Sequence, residues 1–268
     1  MVSAGAGPRH TRPRRFGQNF LADPNLLDAI VRESGVEPDD VVLEIGGGGG
    51  ALGERLAPHV AVLHVIELDE GLRPELEGLA GEHANVELTW GDAMRVDLGA
   101  LDPAPSKLVS NLPYSVATPL LLRTIDQLPS VESWTVMVQR EIADRLRAAP
   151  GSRTYGSPSV LVQVAADVEM LRSVDRAVFS PRPRVDSALL RLTRRGPAAA
   201  GDVRDLVRGA FAHRRKSMPR SLELAGEYER DAVRAALSEA GLADDARAEA
   251  LAPGDFVRVA GLLRASAP

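Results

Sequence analysis

Short apolar runs rich in β-branched residues alternate along the chain with segments whose apolar residues recur at helical spacing. Such runs have the length and composition of buried strands. Strands separated by helices are typical of a parallel sheet covered by helices on both faces. The pattern therefore predicts an α/β fold with a doubly wound, mostly parallel sheet of seven strands, the last two of which can form an antiparallel pair. The predicted strands lie at 41–45, 61–68, 86–90, 107–110, 134–138, 167–174 and 187–192.

The pattern changes after residue 196, where Gly-Pro-Ala-Ala-Ala-Gly has the composition of a linker. Everything beyond it has helical periodicity, with helices predicted at 203–212, 220–224, 229–240, 244–250 and 253–265. We therefore divide the chain into a flexible basic tail at 1–14, a cofactor-binding α/β domain at 15–196 and a small all-helical C-terminal domain at 197–268.

The first strand ends in five consecutive glycines that pass into a helical pattern. A strand, a Gly-rich turn and a helix N-terminus form a site where the backbone can approach a ligand closely. Glu67, at the end of the next strand, follows Gly46 at about the 20-residue distance expected of a ribose-binding carboxylate. Gly46, Gly48 and Ala51 satisfy the dinucleotide fingerprint, whereas Glu44 with alternate glycines resembles motif I of the S-adenosylmethionine-dependent methyltransferases. The glycines alone do not choose between these cofactors, and a turn that binds nothing remains the plain alternative.

Polar side chains follow three successive strands, namely Glu67, Asp92 and Asn111. Ligands of open α/β sheets bind at the carboxyl ends of the strands. A carboxylate at Glu67 suits vicinal ribose hydroxyls, and Asp92, an acceptor when ionised, suits an exocyclic amine of adenine. Each residue alone could be an ordinary turn residue, but together they predict a site for a nucleoside-shaped cofactor.

The tetrapeptide Asn111-Leu112-Pro113-Tyr114 follows the fourth strand. The Asn111 side-chain oxygen and a backbone carbonyl held by the next proline supply two acceptors that converge on one amine. The amine of an aromatic ring is a poor nucleophile, and two acceptors can hold it as it pyramidalises. This would be catalysis by positioning and electrostatics, without a strong base. Tyr114 offers a face for base stacking, although a turn proline and a core tyrosine would explain the same residues.

The amino-acid composition excludes several kinds of site and partner. The 268 residues include no cysteine, which excludes disulfides and thiolate metal sites and is compatible with a reducing cytosol. We therefore predict a cytoplasmic protein without a metal. No run of about 18 apolar residues occurs, so we predict no membrane partner.

The formal net charge of −5 by itself argues against a nucleic-acid partner, but the basic residues are segregated. Residues 1–20, 172–195 and 204–220 are rich in arginine, whereas acids collect in 223–255. Any one patch could be a solvated surface, but three together are typical of a phosphate-binding face. The candidate RNA-binding residues are Arg14, Arg15, Arg182, Arg184, Arg214, Arg215 and Lys216.

Five further motifs join Asn111–Tyr114. In this order they resemble the ribosomal RNA adenine dimethyltransferases, specifically the small-subunit (KsgA/RsmA) type, over about residues 15–265. The chain departs from the family at Gly47, where proline is usual, and at Gly53, where threonine is usual. The motifs are Phe16-Gly-Gln-Asn-Phe-Leu21, Glu44-x-Gly-x-Gly-x-Gly50, Gly91-Asp-Ala93, Phe179-x-Pro-x-Pro-x-Val-Asp-Ser187 and Phe211-x-x-Arg-Arg-Lys-Ser217.

The resemblance implies a Rossmann-like methyltransferase sheet, S-adenosylmethionine as cofactor, and dimethylation of N6 of two adjacent adenosines near the 3′ end of small-subunit (16S) rRNA. It implies the small-subunit rRNA within an immature small ribosomal subunit as the partner of a monomeric enzyme. The target adenine would lie against Asn111, Leu112, Pro113 and Tyr114, with Phe179 on its other face. Cofactor contacts would come from Asn19, Leu21, Gly46, Glu67, Asp92 and Asn111, to which the glycine pattern adds Gly48.

Three alternatives remain open. The large-subunit dimethyltransferases that confer macrolide resistance share the fold and most motifs, but they tend to be strongly basic, whereas this chain has a pI of about 5.6. A non-enzymatic ribosome-assembly factor could use the same scaffold, although the intact Glu67, Asp92 and Asn111 speak against lost catalysis. A nicotinamide dehydrogenase would leave Asn111–Tyr114 unexplained.

Overall fold

The computed structural model describes residues 19–226 and 228–266. The predicted tail at 1–14, the candidate RNA contacts Arg14 and Arg15, and the beginning of the motif at Phe16 lie outside these ranges.

Nine strands occur in the described residues: β1 (Phe20–Leu21), β2 (Val41–Ile45), β3 (Val62–Glu67), β4 (Val86–Trp90), β5 (Lys107–Asn111), β6 (Ser133–Gln139), β7 (Ala166–Val174), β8 (Phe179–Ser180) and β9 (Ser187–Arg194). Seven of them form one sheet in the order β4-β3-β2-β5-β6-β9-β7. Its pairs are parallel except those of β9, which is antiparallel to both β6 and β7. The predicted seven-stranded, mostly parallel sheet with an antiparallel pair at one end is confirmed.

Helices cover both faces of this sheet because its central strands bury apolar side chains on both sides. In β2, Leu43 and Ile45 join one core with Leu120 and Leu121, whereas Val42 joins the opposite core. The fold is therefore doubly wound, as predicted. The helices of this part of the chain are α1 (Pro24–Ser34), α2 (Gly53–Leu56), α3 (Arg73–Glu82), α4 (Ala117–Gln127), α5 (Arg140–Leu146) and α6 (Ser157–Ala165).

The C-terminal part is helical, with α7 (Gly201–Ala212), α8 (Met218–Ala225), α9 (Arg230–Glu239) and α10 (Pro253–Ala265). Its core also includes Tyr155 and Val160, so α6 packs against both the sheet and the C-terminal helices. The helix predicted at 244–250 is wrong, because only a short 3-10 turn forms at Ala248–Ala250. The carbonyl of Ala246 accepts a hydrogen bond from the Met218 amide at 2.7 Å. This carbonyl therefore bonds to the start of α8 and not to an amide further along a helix of its own.

Strands β1 and β8 form a separate antiparallel pair, here called the clasp. Phe20 pairs with Ser180 and Leu21 with Phe179, and the Ala22 amide donates to the Val178 carbonyl at 3.0 Å. The sequence indicated only a rigid loop at 179–183, because two-residue strands leave no periodic pattern. The clasp holds the N-terminal segment beside the glycine loop.

None of the helices within 19–226 and 228–266 has the length and apolar character needed to cross a membrane.

Candidate active site

A cleft of about 1370 Å³ opens at the carboxyl ends of the central strands. It is bounded by the glycine loop, the ends of β3 and β5, the turn after β4 and the segment after β8. The sequence-predicted residues that line it are Asn19, Leu21, Gly46, Gly48, Glu67, Asp92, Asn111, Leu112, Pro113, Tyr114, Arg182 and Arg184. Phe179, Arg214, Arg215 and Lys216 are not among its lining residues.

The glycine loop adopts a conformation that requires glycine. Gly46 and Gly48 have φ angles of 83° and 56°, in the left-handed region that side chains disfavour. A Cβ atom at Gly46 would lie 3.5 Å from Pro113 Cγ. The loop after β2 therefore passes directly beside the Asn-Leu-Pro-Tyr turn, which places the two predicted halves of the site in contact.

The two departures from the family's usual residues lie where neighbouring side chains fill the space. A Cβ atom at Gly47 would lie 2.4 Å from Val65 Cγ1, and one at Gly53 would lie 2.9 Å from Leu79 Cδ2. Real Cβ atoms do not approach other atoms this closely, so a larger residue at Gly47 or Gly53 requires the neighbours to move. In this chain, tight packing against β3 and α3 holds the loop.

The Glu67 carboxylate organises the loop through backbone hydrogen bonds. Its Oε2 accepts the Gly48 amide at 2.9 Å, and its Oε1 accepts the amides of Leu68 and Asp69, each at 2.8 Å. Glu67 thus ties the end of β3 to the glycine loop. A carboxylate offers about four lone-pair positions, so one acceptor position remains for a ligand hydroxyl.

Glu44 is fully enclosed beneath the loop. Its Oε2 has no hydrogen-bond partner among the described residues. Burial raises the pKa of the Glu44 carboxyl well above its ordinary value, and the negative charge of Glu67 raises it further. Folding therefore favours the uncharged form of Glu44 relative to an exposed glutamate.

Asn111 presents an unsatisfied acceptor at the end of β5. Its Nδ2 donates to the backbone carbonyl of Asn19 at 3.3 Å, which sets the orientation of the amide group. Its Oδ1 is buried without a partner among the described residues. A buried acceptor without a donor costs free energy, so the site is incomplete until a ligand supplies an N–H or O–H group.

Tyr114 lies half-buried in the turn after Asn111. Its hydroxyl is 2.5 Å from Ser187 Oγ, and its ring meets that of Phe179 at a centroid distance of 6.4 Å and an interplanar angle of 77°. Burial raises the pKa of the Tyr114 phenol, and the hydrogen bond to Ser187 partly offsets this. Phe179 is buried and meets Tyr114 in an edge-to-face contact, so its predicted place across the target base stays a prediction.

The family model described as ribosomal RNA adenine dimethylase matches residues 9–264. The chain belongs to this family. It is 42% identical to the ribosomal RNA small subunit methyltransferase A of Rubrobacter xylanophilus, over 96% of this chain and 97% of that protein. It is also 42% identical to the protein of the same name from Thermobifida fusca, over 97% and 92% of the two chains.

Two solved structures support the same fold. A dimethyladenosine transferase from Plasmodium falciparum superposes with a TM-score of 0.77 at 23% identity, covering 89% of this chain and 95% of the other. The 23S rRNA methyltransferase ErmE superposes with a TM-score of 0.68 at 28% identity, covering 92% and 100%. The predicted family, Rossmann-like fold and enzyme class are confirmed, and the cofactor of this rRNA adenine dimethylase is S-adenosylmethionine.

Sequence reasoning missed two apolar side chains of the dimethylase cleft. Leu68 directly follows Glu67 and is 47% exposed, and Met94 lies two residues after Asp92 and is 36% exposed. Asp92 Oδ1 accepts the Met94 amide at 2.8 Å, which holds this turn in place. The signal that could have found them is an apolar residue placed just beyond each strand-end acid.

The predicted basic residues fall into two groups. Arg182 and Arg184 are exposed at the rim of the cleft, where Arg182 forms a loose ion pair with Asp175 at 3.6 Å. Arg214, Arg215 and Lys216 form the second group, on the connection between α7 and α8.

Within the second group, Arg214 has a structural contact. Its Nη2 donates to the Tyr155 carbonyl at 2.8 Å, and it lies 3.6 Å from the Glu249 carboxylate. The side chains of Arg215 and Lys216 are exposed and form no ion pair within the described residues. Arg215 and Lys216 are therefore the members of this group that are available to a phosphate.

Proposed function

We propose that this enzyme transfers two methyl groups to N6 of each of two adjacent adenosines near the 3′ end of small-subunit (16S) rRNA. The unpartnered Oδ1 of Asn111 beside the glycine loop carries this proposal, because a buried acceptor without a donor can bind the amine of the target adenine. The choice of the small subunit is supported by relatives of that name at 42% identity over nearly the whole chain. The large-subunit alternative has the weaker support of ErmE at 28% identity.

The cleft fits S-adenosylmethionine, which supplies an activated methyl group on a sulfonium when bound. The backbone of Gly46 and Gly48 can approach it closely because neither residue has a side chain, and their positive φ angles favour glycine at both positions. Glu67 retains an acceptor position for a ribose hydroxyl, and Asp92 Oδ2 is available for an adenine amine. The exposed faces of Leu68 and Met94 supply apolar surface for the adenine ring. Asn19 and Leu21 of the N-terminal segment would close the site.

We assign Asn111 the role of holding the target amine. Its Nδ2 is engaged by Asn19, so Oδ1 faces the substrate, and a backbone carbonyl of the Leu112–Pro113 segment would supply a second acceptor. Two acceptors favour a pyramidal amine whose lone pair is directed away from the ring. Because the acceptors are fixed before the substrate arrives, they need little reorganisation in the transition state.

An adenine amine is accessible to such a site only when the base has left its stack. Stacking on an aromatic side chain replaces about 1–3 kcal/mol of the lost base stacking. Tyr114 would provide this surface, and Phe179 would either support the Tyr114 ring or, after rotation, cover the other side of the base.

The rRNA backbone would contact Arg182 and Arg184 at the cleft rim, and Arg215 and Lys216 on the helical part. Arg14, Arg15 and Arg214 are also proposed contacts, although Arg214 has the structural contact described above. We further propose that the chain acts as a cytoplasmic monomer on the immature small subunit. In this scheme 15–196 is the cofactor-binding methyltransferase domain, and 197–268 is a helical domain that adds further RNA contacts.

The test is methyl transfer from labelled S-adenosylmethionine to small and large ribosomal subunits isolated from a strain that lacks this gene. Digestion and separation of nucleosides identify dimethyladenosine, and primer extension locates it. We expect dimethyladenosine at two adjacent positions near the 3′ end of the small-subunit rRNA. Label in large-subunit rRNA alone would favour the macrolide-resistance type of activity, and no label in either would support a non-catalytic assembly factor.

A further inference from the structure

Ser187 is a fully buried polar residue that belongs to neither the cofactor contacts nor the base contacts assigned above. It is the first residue of β9 and pairs with Gln139 of β6 on one side and with Val174 of β7 on the other. Its backbone is therefore fixed between two strands of the sheet. Its hydroxyl lies 2.5 Å from the Tyr114 hydroxyl.

Tyr114, by contrast, lies in the turn between β5 and α4, outside any helix or strand. The phenol oxygen lies on the long axis of the ring, so a hydrogen bond at this atom fixes the direction of that axis and hence χ1. Rotation about the axis is opposed separately by the edge-to-face contact with Phe179 at 6.4 Å. Together the two contacts define both the position and the tilt of the ring face.

We propose that Ser187 is a positioning residue for methyl transfer, which holds the Tyr114 ring as a preformed stacking surface for the target base. This inference rests on the proposed function, because it gives the ring a base to receive. Ser187 itself touches neither the reacting amine nor the cofactor. Its contribution is geometric, since a reacting atom displaced by about 1 Å can lower a rate by about 100-fold.

The hydrogen bond has two ends, and each can be removed separately. Ser187→Ala and Tyr114→Phe each delete one hydroxyl and keep the stacking ring. If the bond positions the ring, both variants lose the same interaction, and the double variant is no slower than either alone. We expect kcat to fall by about tenfold or more in each, with the cofactor Kd unchanged and the KM for the small subunit changed by less than about threefold.

A buried serine can also matter only for stability, so the test includes a matched control. Ser159 is equally buried, its Oγ donates to the Arg145 carbonyl at 2.6 Å, and it is not among the residues that line the cleft. Ser159→Ala should lower the melting temperature and leave kcat unchanged. If Ser187→Ala fails to fold, Tyr114→Phe answers the same question.

A second readout does not depend on activity. The chain has three tyrosines, so selectively labelled tyrosine rings can be followed individually by NMR. Ser187→Ala should shift and broaden the Tyr114 ring signals and leave those of Tyr155 unchanged, because the Tyr155 hydroxyl bonds to the Leu251 carbonyl.

The outcomes separate the two levels of the proposal. A wild-type enzyme that produces no dimethyladenosine contradicts the proposed function, whatever the Tyr114 ring does. With an active wild type, unchanged kcat in Ser187→Ala and Tyr114→Phe, or losses that multiply in the double variant, overturn the positioning role.

Discussion

Replacement of Glu67 tests how the cleft binds its cofactor. Glu67→Ala removes three backbone hydrogen bonds, to Gly48, Leu68 and Asp69, together with the acceptor proposed for a ribose hydroxyl. Glu67→Gln is the milder change. A side-chain amide can keep its oxygen toward Leu68 and Asp69, but its NH2 group then faces the Gly48 amide, donor against donor.

The magnitude follows from the number of bonds lost. A hydrogen bond to a charged group contributes about 1.5–3 kcal/mol. We expect Glu67→Gln to weaken S-adenosylmethionine binding by about 1–3 kcal/mol, because the Gly48 segment loosens and the ribose acceptor loses its charge. That range corresponds to a Kd increase of about 5- to 150-fold. Glu67→Ala should weaken binding further and should also lower the free energy of unfolding.

Calorimetric titration with S-adenosylmethionine and its demethylated product measures the affinity, and urea denaturation measures stability. Glu70→Gln is the control, because Glu70 is an exposed acid three residues further on whose ion pair with Arg73 is loose, at 3.9 Å. It should change both quantities by less than about 0.5 kcal/mol. Wild-type affinity in Glu67→Ala, or binding of NAD in place of either sulfur nucleoside, would refute this reasoning.

Three further changes have expected outcomes of their own. Gly47→Ala should lower stability by about 1–3 kcal/mol through overpacking, whereas Gly78→Ala, in open space on α3, should raise it by about 1 kcal/mol; urea denaturation measures both. Replacing Arg215 and Lys216 together by Glu should reduce the salt dependence of RNA binding by about two phosphate contacts, seen in titrations against salt, with cofactor affinity unchanged. Because the pKa of Glu44 is raised on folding, the folded protein binds the carboxyl proton more tightly than the unfolded chain does. Protonation of Glu44 therefore contributes its full stabilisation below about pH 4.5, and this contribution is lost as pH rises through the folded-state pKa. Glu44→Gln should therefore flatten the fall in stability with rising pH, measured by urea denaturation at several pH values.

Each of these has a contradicting result. Equal stabilities of the Gly47→Ala and Gly78→Ala variants would mean that β3 accommodates a side chain at position 47 without loss of stability. An unchanged salt dependence of RNA affinity would mean that Arg215 and Lys216 are solvated surface residues that do not contact phosphates. A stability profile of Glu44→Gln that runs parallel to the wild-type profile would show that Glu44 does not titrate differently on folding.

The sheet could be predicted because its signals are local. The run Val41–Ile45 places Val42 on one face of the sheet and Leu43 and Ile45 on the other, and a strand buried by helices on both sides needs apolar residues on both faces. Glu67, Asp92 and Asn111 could be placed together because the carboxyl ends of neighbouring parallel strands meet at one edge. These parts of the site follow from sequence position and the parallel topology alone.

The clasp and the hydrogen bond of Tyr114 could not be predicted in this way. Strands of two residues have no periodicity, and the pairing of Leu21 with Phe179 joins segments far apart in the sequence. The partner of the Tyr114 hydroxyl depends on where β9 inserts between β6 and β7. The hydrogen bond from Arg214 to the Tyr155 carbonyl likewise joins segments far apart in the chain, so no local pattern indicates it.

The acceptor role of Asn111 is the central claim, and methyl transfer by Asn111→Ala tests it most directly. We expect kcat to fall by about 100- to 1000-fold, the usual cost of removing one fixed group that stabilises a transition state. Stability should stay unchanged or rise, because the variant no longer buries an unpartnered oxygen. Asn85→Ala is the control, since its Nδ2 donates to the Ala57 and Val60 carbonyls and Asn85 is not among the cleft-lining residues; it should lose stability and keep its rate. Dimethyladenosine formation by Asn111→Ala at near the wild-type rate would contradict this account of the site.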